Sequence, residues 1–144
     1  MCAAARRQGI VAAFGGFCLW LSACSGMSLD DRAGLSCIDD SPECVARREA
    51  TLKSMLADKD RKWVRESPTP QAHATGVRLF AFRSKKAELS CDELVHARKE
   101  AEAAPKALKG QQGLSPAQIS RASLFAAEVH KELAAEMKKR RCRA

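Results

Sequence analysis

The 144-residue chain has no tyrosine, two tryptophans and five phenylalanines, an aromatic share of 5%. So few rings exclude a core organised by aromatic stacking. A core built mainly of Ala, Leu and Val is thin in so short a chain, and cross-links would help it. No C-x2-C pair and no nearby pair of histidines occurs, which removes the usual ligand frame of a structural zinc site. H-E-x-x-H, G-x-S-x-G and a Cys-His signature are also missing, so no hydrolase motif is present. Only Val77-Arg78-Leu79-Phe80-Ala81-Phe82 reads as a strand, and a lone strand has nothing to pair with. A sheet is thereby excluded, and helix is the expectation for residues 71 to 86.

What is present begins at the N-terminus. Arg6 and Arg7 precede a largely apolar run from Gly9 to Ala23, which closes on Leu21-Ser22-Ala23-Cys24. A positive segment, an apolar segment and small residues at a cleavage point are the layout of a secretory signal peptide. Two other readings compete. A retained membrane helix wants about 20 predominantly apolar residues, and this run is interrupted by Gly15, Gly16, Ser22, Ser25 and Gly26. Ordinary cleavage would leave Cys24 as a free thiol. Twin-arginine export fits Gln8-Gly9-Ile10 poorly. Leu21-Ser22-Ala23-Cys24 resembles the lipobox of bacterial lipoproteins, which implies acylation of Cys24, palmitate included, and attachment to a membrane facing the periplasm. By the sorting logic of that family, Ser25 implies the outer membrane. The remainder resembles short helical lipoproteins of Gram-negative bacteria, a likeness that supplies no activity.

The expected division is a signal peptide over 1–23, a lipidated N-terminus and tether over 24–36, and a helical domain over 37–144. Removing 23 residues takes away two of 25 basic residues and none of the 17 acidic ones, so the net charge of +8 becomes +6 (23 − 17). Export turns this basicity away from nucleic acid. The anionic partners that remain are lipid headgroups, lipopolysaccharide phosphates, cell-wall carboxylates or an acidic envelope protein.

Of the seven cysteines, Cys2 and Cys18 leave with the signal and Cys24 carries lipid. Cys37, Cys44, Cys91 and Cys142 remain. An even set in an exported chain reads as two disulfides, and gaps of six, 46 and 50 residues do not suit zinc. The expected pairs are 37–44, at the mouth of the first helix, and 91–142, joining the ends of antiparallel neighbours. The second is imperfect. A turn near Gly110 to Gly113 would leave Cys142 about 12 Å past Cys91 at ~1.5 Å per residue.

Helix signals are dense. Ser41-Pro42-Glu43 opens a first helix, whose Val45, Leu52, Leu56 and Trp63, with Met55 beside them, share one face to about Arg65. Glu49 with Lys53 and Asp58 with Lys62 would pair on its wet side. Ser67-Pro68-Thr69-Pro70 ends it, and Thr69-Pro70 suits a new start. Ser90 with Glu93 and Ser115 with Gln118 are capping boxes. The third helix weakens near Pro105. The last carries Ile119, Ala122, Ala126, Val129, Leu133 and Met137 at steps of three or four and should reach about Arg140. The expectation is an all-α antiparallel bundle of three or four helices with two disulfides, after a flexible tether.

Candidate sites are few. Lys138-Lys139-Arg140-Arg141, with Arg143, is the densest basic cluster. It complements a helix C-terminus and could meet an anionic surface. Arg78, Arg83, Lys85 and Lys86 interleave with Phe80 and Phe82, which suits a membrane interface, a partner groove or a small core with a wet edge. Glu128, Glu132 and Glu136 form an i,i+4 row. They could serve a glycan-cleaving enzyme through a glutamate pair, or face cations in an interhelical seam. His73, His96 and His130 have no recognisable catalytic partner, and no metal or cofactor site is expected. The leading expectation is a non-enzymatic, lipid-anchored accessory module of the envelope. The alternative is an envelope enzyme acting on cell-wall glycan through Glu128 and Glu132.

Overall fold

The computed structural model describes residues 33–143. The signal peptide, Cys24 and the first part of the tether lie outside them. The described chain is all-α, with α1 at Pro42–Ala57, α2 at Pro70–Thr75, α3 at Val77–Lys85, α4 at Cys91–Leu108 and α5 at Pro116–Lys139. A 3-10 turn at Lys62–Arg65 joins α1 to α2. None of the described helices is long and apolar enough to cross a membrane. The doubly cross-linked bundle matches the expected fold class. Its five helices, against three or four, follow from a division of residues 70–85 at Gly76.

The starts form where the side chains cap them. Ser41, Thr69, Ser90 and Ser115 each accept a hydrogen bond from a backbone N–H three residues on. Glu93 and Gln118 return the bond to Ser90 and Ser115, completing both capping boxes. The ends hold the departures from expectation. The first helix stops at Ala57 instead of running to Arg65. Asp58 turns its carboxylate onto the N–H groups of Asp60 and Lys62 (3.0 and 3.1 Å), so it caps the break and makes no helical pair with the Lys62 ammonium. Trp63 then folds back, and its indole Nε1 donates to the Met55 carbonyl at 3.0 Å. That carbonyl belongs to the last turn of α1 and would otherwise be an orphan.

The fully buried residues of α1 are Cys44, Thr51 and Met55; Met55 is as expected, Leu52 and Leu56 pack partly buried against the core, and the expected Val45 is exposed. The buried face is thereby shifted toward Cys44 and Thr51. The cause of the shift lies upstream, where residues 33–35 form a single 3-10 turn against α1. The Gly34 N–H donates to Thr51 Oγ1 at 3.2 Å, and a Cβ there would stand 2.5 Å from the Arg47 carbonyl oxygen and from Thr51 Oγ1. Only glycine permits that approach.

Gly76 adopts φ +68° and serves as both the end of α2 and the start of α3. The left-handed conformation redirects the chain so that α3 packs Val77, Leu79, Ala81 and Phe82 inward. The centre of the bundle is the α4–α5 pair, where Leu94, Ala97, Ala101 and Ala104 meet Ala126, Val129, Leu133 and Met137 in one core cluster. Helix α4 runs through Pro105 to Leu108. Proline removes one backbone donor, but Ala104 and Leu108 are wholly buried, and their packing outweighs the lost bond.

Cys37 bridges Cys44 and Cys91 bridges Cys142, with Cα separations of 5.3 and 5.4 Å. The second bridge closes because the chain reverses after α5. Arg141 takes φ +57°. The Cys142 N–H bonds Met137 O at 2.9 Å, and Arg141 N–H bonds Lys138 O at 3.1 Å. These two bonds are the Schellman pattern. It folds Cys142 back along the helix instead of carrying it onward.

Candidate functional site

The basic cluster sits on this reversed end. Lys138, Lys139, Arg140 and Arg141 are all exposed, and the bridge to Cys91 fixes them in place. Arg140 donates to the Leu89 carbonyl, and Lys139 lies 3.8 Å from Glu136. Lys138 and Arg141 have no ion pair among the described residues. Arg140 thus fastens the helix end, Lys139 meets only its own helix, and Lys138 and Arg141 face solvent with charge unspent.

The glutamate row meets cations on α3. Arg83 spans Glu128 (3.3 Å) and Glu132 (2.7 Å), and the Lys86 ammonium also reaches Glu132. The Lys86 hydrogen bond, reinforced by the charges of Lys86 and Arg83, holds the Glu132 carboxyl below its ordinary value. A general acid for glycan cleavage needs the opposite shift. Glu128 and Glu132 form an interhelical seam between α3 and α5, while Glu136 meets Lys139 on its own helix. Lys85 pairs with Glu88 at 2.9 Å, so three of the four cations once set together on α3 are engaged with acids at the surface.

The fourth, Arg78, is the largest fully buried side chain. Its Nε and Nη2 donate to the two oxygens of Glu100 at 2.8 and 2.6 Å. Further bonds reach Trp63 O at 2.8 Å and Glu66 O at 2.9 Å. The guanidinium carbon lies 6.0 Å from the Trp63 ring centre and 5.7 Å from that of Phe82. Arg78 and Phe82 therefore belong to the core, and no membrane-facing patch forms from them. The pair ties α3 to α4 and to the segment linking α1 with α2. With its donors turned to Glu100 and two carbonyls, Arg78 acts as a knot in the fold. One sequence signal could have found it: Glu100 interrupts the small-residue face Ala97-Ala101-Ala104, and Arg78 stands one turn before Phe82.

Two clefts flank the Glu66–Pro68 strap over this pair. One, about 220 Å³, is lined by Leu35, Thr69, Ala72 and Arg78. The other, about 250 Å³, is lined by Arg65, His73, His96, Lys99 and Glu100. His73 is 4% exposed and its Nδ1 has no hydrogen-bond partner. Burial lowers its pKa below the ordinary 6.5, opposed by the charge of Glu100 and assisted by that of Arg78. His96 is exposed and His130 half-buried. Among the described residues, the one convergence of potential metal ligands is Cys37, Asp39 and Cys44. Its sulfurs are spent in a disulfide.

A third hollow, about 220 Å³, opens between Leu52, Val77, Phe80 and Phe125, with Arg48 and Glu49 on its rim. Phe80 is 45% exposed there. Comparison with protein-family models, with curated proteins and with solved structures gave no match.

Proposed function

We propose that this chain is a lipid-anchored, non-enzymatic accessory module of the bacterial envelope that rests its cationic α5 end on a phosphate-bearing lipid surface. The observation that carries the reading is the exposed group Lys138, Lys139, Arg140 and Arg141 on a helix end tied down by the Cys91–Cys142 bridge. The order Arg6-Arg7, apolar run, Leu21-Ser22-Ala23-Cys24 supplies the anchor. The lipid at Cys24 carries the attachment, and the basic patch adds a second, charge-dependent contact that sets how the domain lies on the surface.

The two signals are geometrically compatible. The loop after Cys37 is held at the start of α5 by Gln118, which donates to Ile38 O at 3.1 Å. From there to Arg140 the helix covers roughly 33 Å at 1.5 Å per residue. With residues 33–35 packed on α1, the tether left is residues 25–32, which reaches roughly 30 Å when stretched, so anchor and basic end touch one surface when α5 lies along it rather than standing upright. The glycan-enzyme alternative gains nothing from the seam, where Arg83 and Lys86 occupy Glu128 and Glu132.

The test uses two variants of the full chain. Cys24→Ala should release the protein from the membrane fraction or stall its processing; normal processing with retained membrane association would overturn the anchor. Lys138→Glu/Arg141→Glu, made without the lipid, should lose binding to phosphatidylglycerol vesicles by about tenfold or more, since each cation near an anionic surface contributes ~1 kcal/mol. Binding that ignores both the substitution and added salt would remove the surface reading. Glu128→Gln/Glu132→Gln should leave binding unchanged.

A further inference from the structure

The two disulfides sit in different chemical surroundings. Cys37 is half-exposed, whereas Cys44, the third residue of α1, is 1% exposed. The Arg48 Nη1 lies 3.5 Å from Cys44 Sγ and donates also to the carbonyls of Cys37 (2.8 Å) and Asp39 (2.5 Å). The guanidinium is thus fixed against the sulfur by the loop that the bridge closes. A cationic donor on a sulfur at a helix N-terminus stabilises thiolate. Asp39 opposes it, its carboxylate lying within 4.8 Å of both sulfurs, but it is turned to the Ser41 N–H at 2.9 Å. At the other bridge, no described side chain donates to either sulfur, and Cys142 packs on the core.

We propose that Cys37–Cys44 is a thiol–disulfide exchange site, attacked at Cys37 with Cys44 as the leaving thiolate. Its partner is a dithiol, on a protein or a small molecule. One dithiol sulfur, as thiolate, attacks the Sγ of the half-exposed Cys37. The Cys37–Cys44 bond breaks, and its electron pair goes to Cys44 Sγ beside Arg48. The second dithiol sulfur, after losing its proton to solvent, attacks its own partner sulfur in the mixed disulfide. Cys37 is released as thiolate and takes up a proton. The dithiol is oxidised to a disulfide by two electrons, and the Cys37–Cys44 bridge is reduced by the same two. The fold tolerates the change because Arg48, the Gln118 bond to Ile38 and the Arg121–Asp40 pair (3.6 Å) continue to hold the opened loop. This inference goes beyond the envelope role and does not depend on it.

The test is a dithiothreitol titration of the full chain, with differential alkylation and peptide mass analysis to read each cysteine separately. Cys37–Cys44 should open at a reductant level about tenfold or more below that of Cys91–Cys142. Circular dichroism should hold steady while it does. Brief exposure to glutathione should place the adduct on Cys37. Arg48→Ala should raise the reductant needed, Arg48→Lys should restore part of the effect, and Asp39→Asn should lower it. Opening of Cys91–Cys142 first, an adduct on Cys44, or equal midpoints in all three variants would overturn the proposal. Loss of helicity in step with reduction would overturn it as well.

Discussion

At the residue scale, the molecule depends on one charge placed where charge is costly. Arg78 is 2% exposed and its partner Glu100 9%. Such a pair seldom outperforms a well-packed apolar replacement, yet removing one member leaves a buried charge unpaired at a cost of ~3–5 kcal/mol. Arg78→Met and Glu100→Leu should therefore each destabilise strongly. Their double variant should cost less than the two together by ~2 kcal/mol or more, because it leaves no lone charge. Urea denaturation of all three forms measures this, and additive losses would refute it. Full recovery is not expected, since the buried Trp63 O loses its donor and an orphaned carbonyl costs about 1–3 kcal/mol. The sequence concealed this pair because Arg78 stands beside genuinely wet cations. Local spacing assigns Arg78, Arg83 and Lys85 alike, and only the approach of α4 separates them.

At the element scale, two left-handed residues set the ends of helices, and they predict opposite outcomes. Gly76 needs φ +68°, and a Cβ there would also press to 3.3 Å on the Phe125 ring. Gly76→Ala should destabilise by about 1 kcal/mol or somewhat more. Arg141 occupies the same region at φ +57° with a side chain that dislikes it, so Arg141→Gly should stabilise by up to about 1 kcal/mol. Thermal melts of both variants check the signs; matching signs would contradict the backbone argument. The helix starts were legible because serine, threonine and proline act on their nearest neighbours. The ends were less so. Asp58 terminates α1 through its own carboxylate, eight residues before the expected limit at Arg65, and Trp63 makes that ending worthwhile only by finding Met55 and Phe82 (ring centres 4.9 Å apart).

At the scale of the whole molecule, stability should fall with acid in two stages. His73 is kept neutral by burial, below its ordinary 6.5. An unfolded chain takes up a proton there before the folded one does, so stability declines as pH drops below about 6.5. Glu93 and Glu132 form the second stage. Burial alone would raise Glu93, but the Ser90 N–H and Arg61 outweigh it, and Lys86 with Arg83 lowers Glu132. Their contribution is present above the ordinary 4.5 and is lost as pH falls through the depressed folded values. Urea midpoints between pH 8 and pH 3 should show both limbs, and His73→Gln should flatten the upper one. An unchanged upper limb in that variant would assign it elsewhere.

The amino-acid sequence alone determined the helical class and the four capped starts, and it favoured the two cysteine pairs without fixing them. All three rest on short-range rules: caps act over three residues, apolar spacing repeats within a turn, and few cysteines leave few pairings. Tertiary structure decided what those rules do not reach. It shifted the buried face of α1 toward Thr51, on which Gly34 packs, and drew Arg78 inward to meet Glu100. It also made a seam of the Glu128–Glu132 row by laying α3 across it. Each of these depends on a partner distant in the chain, whose approach removes water from one side chain and leaves its neighbour wet.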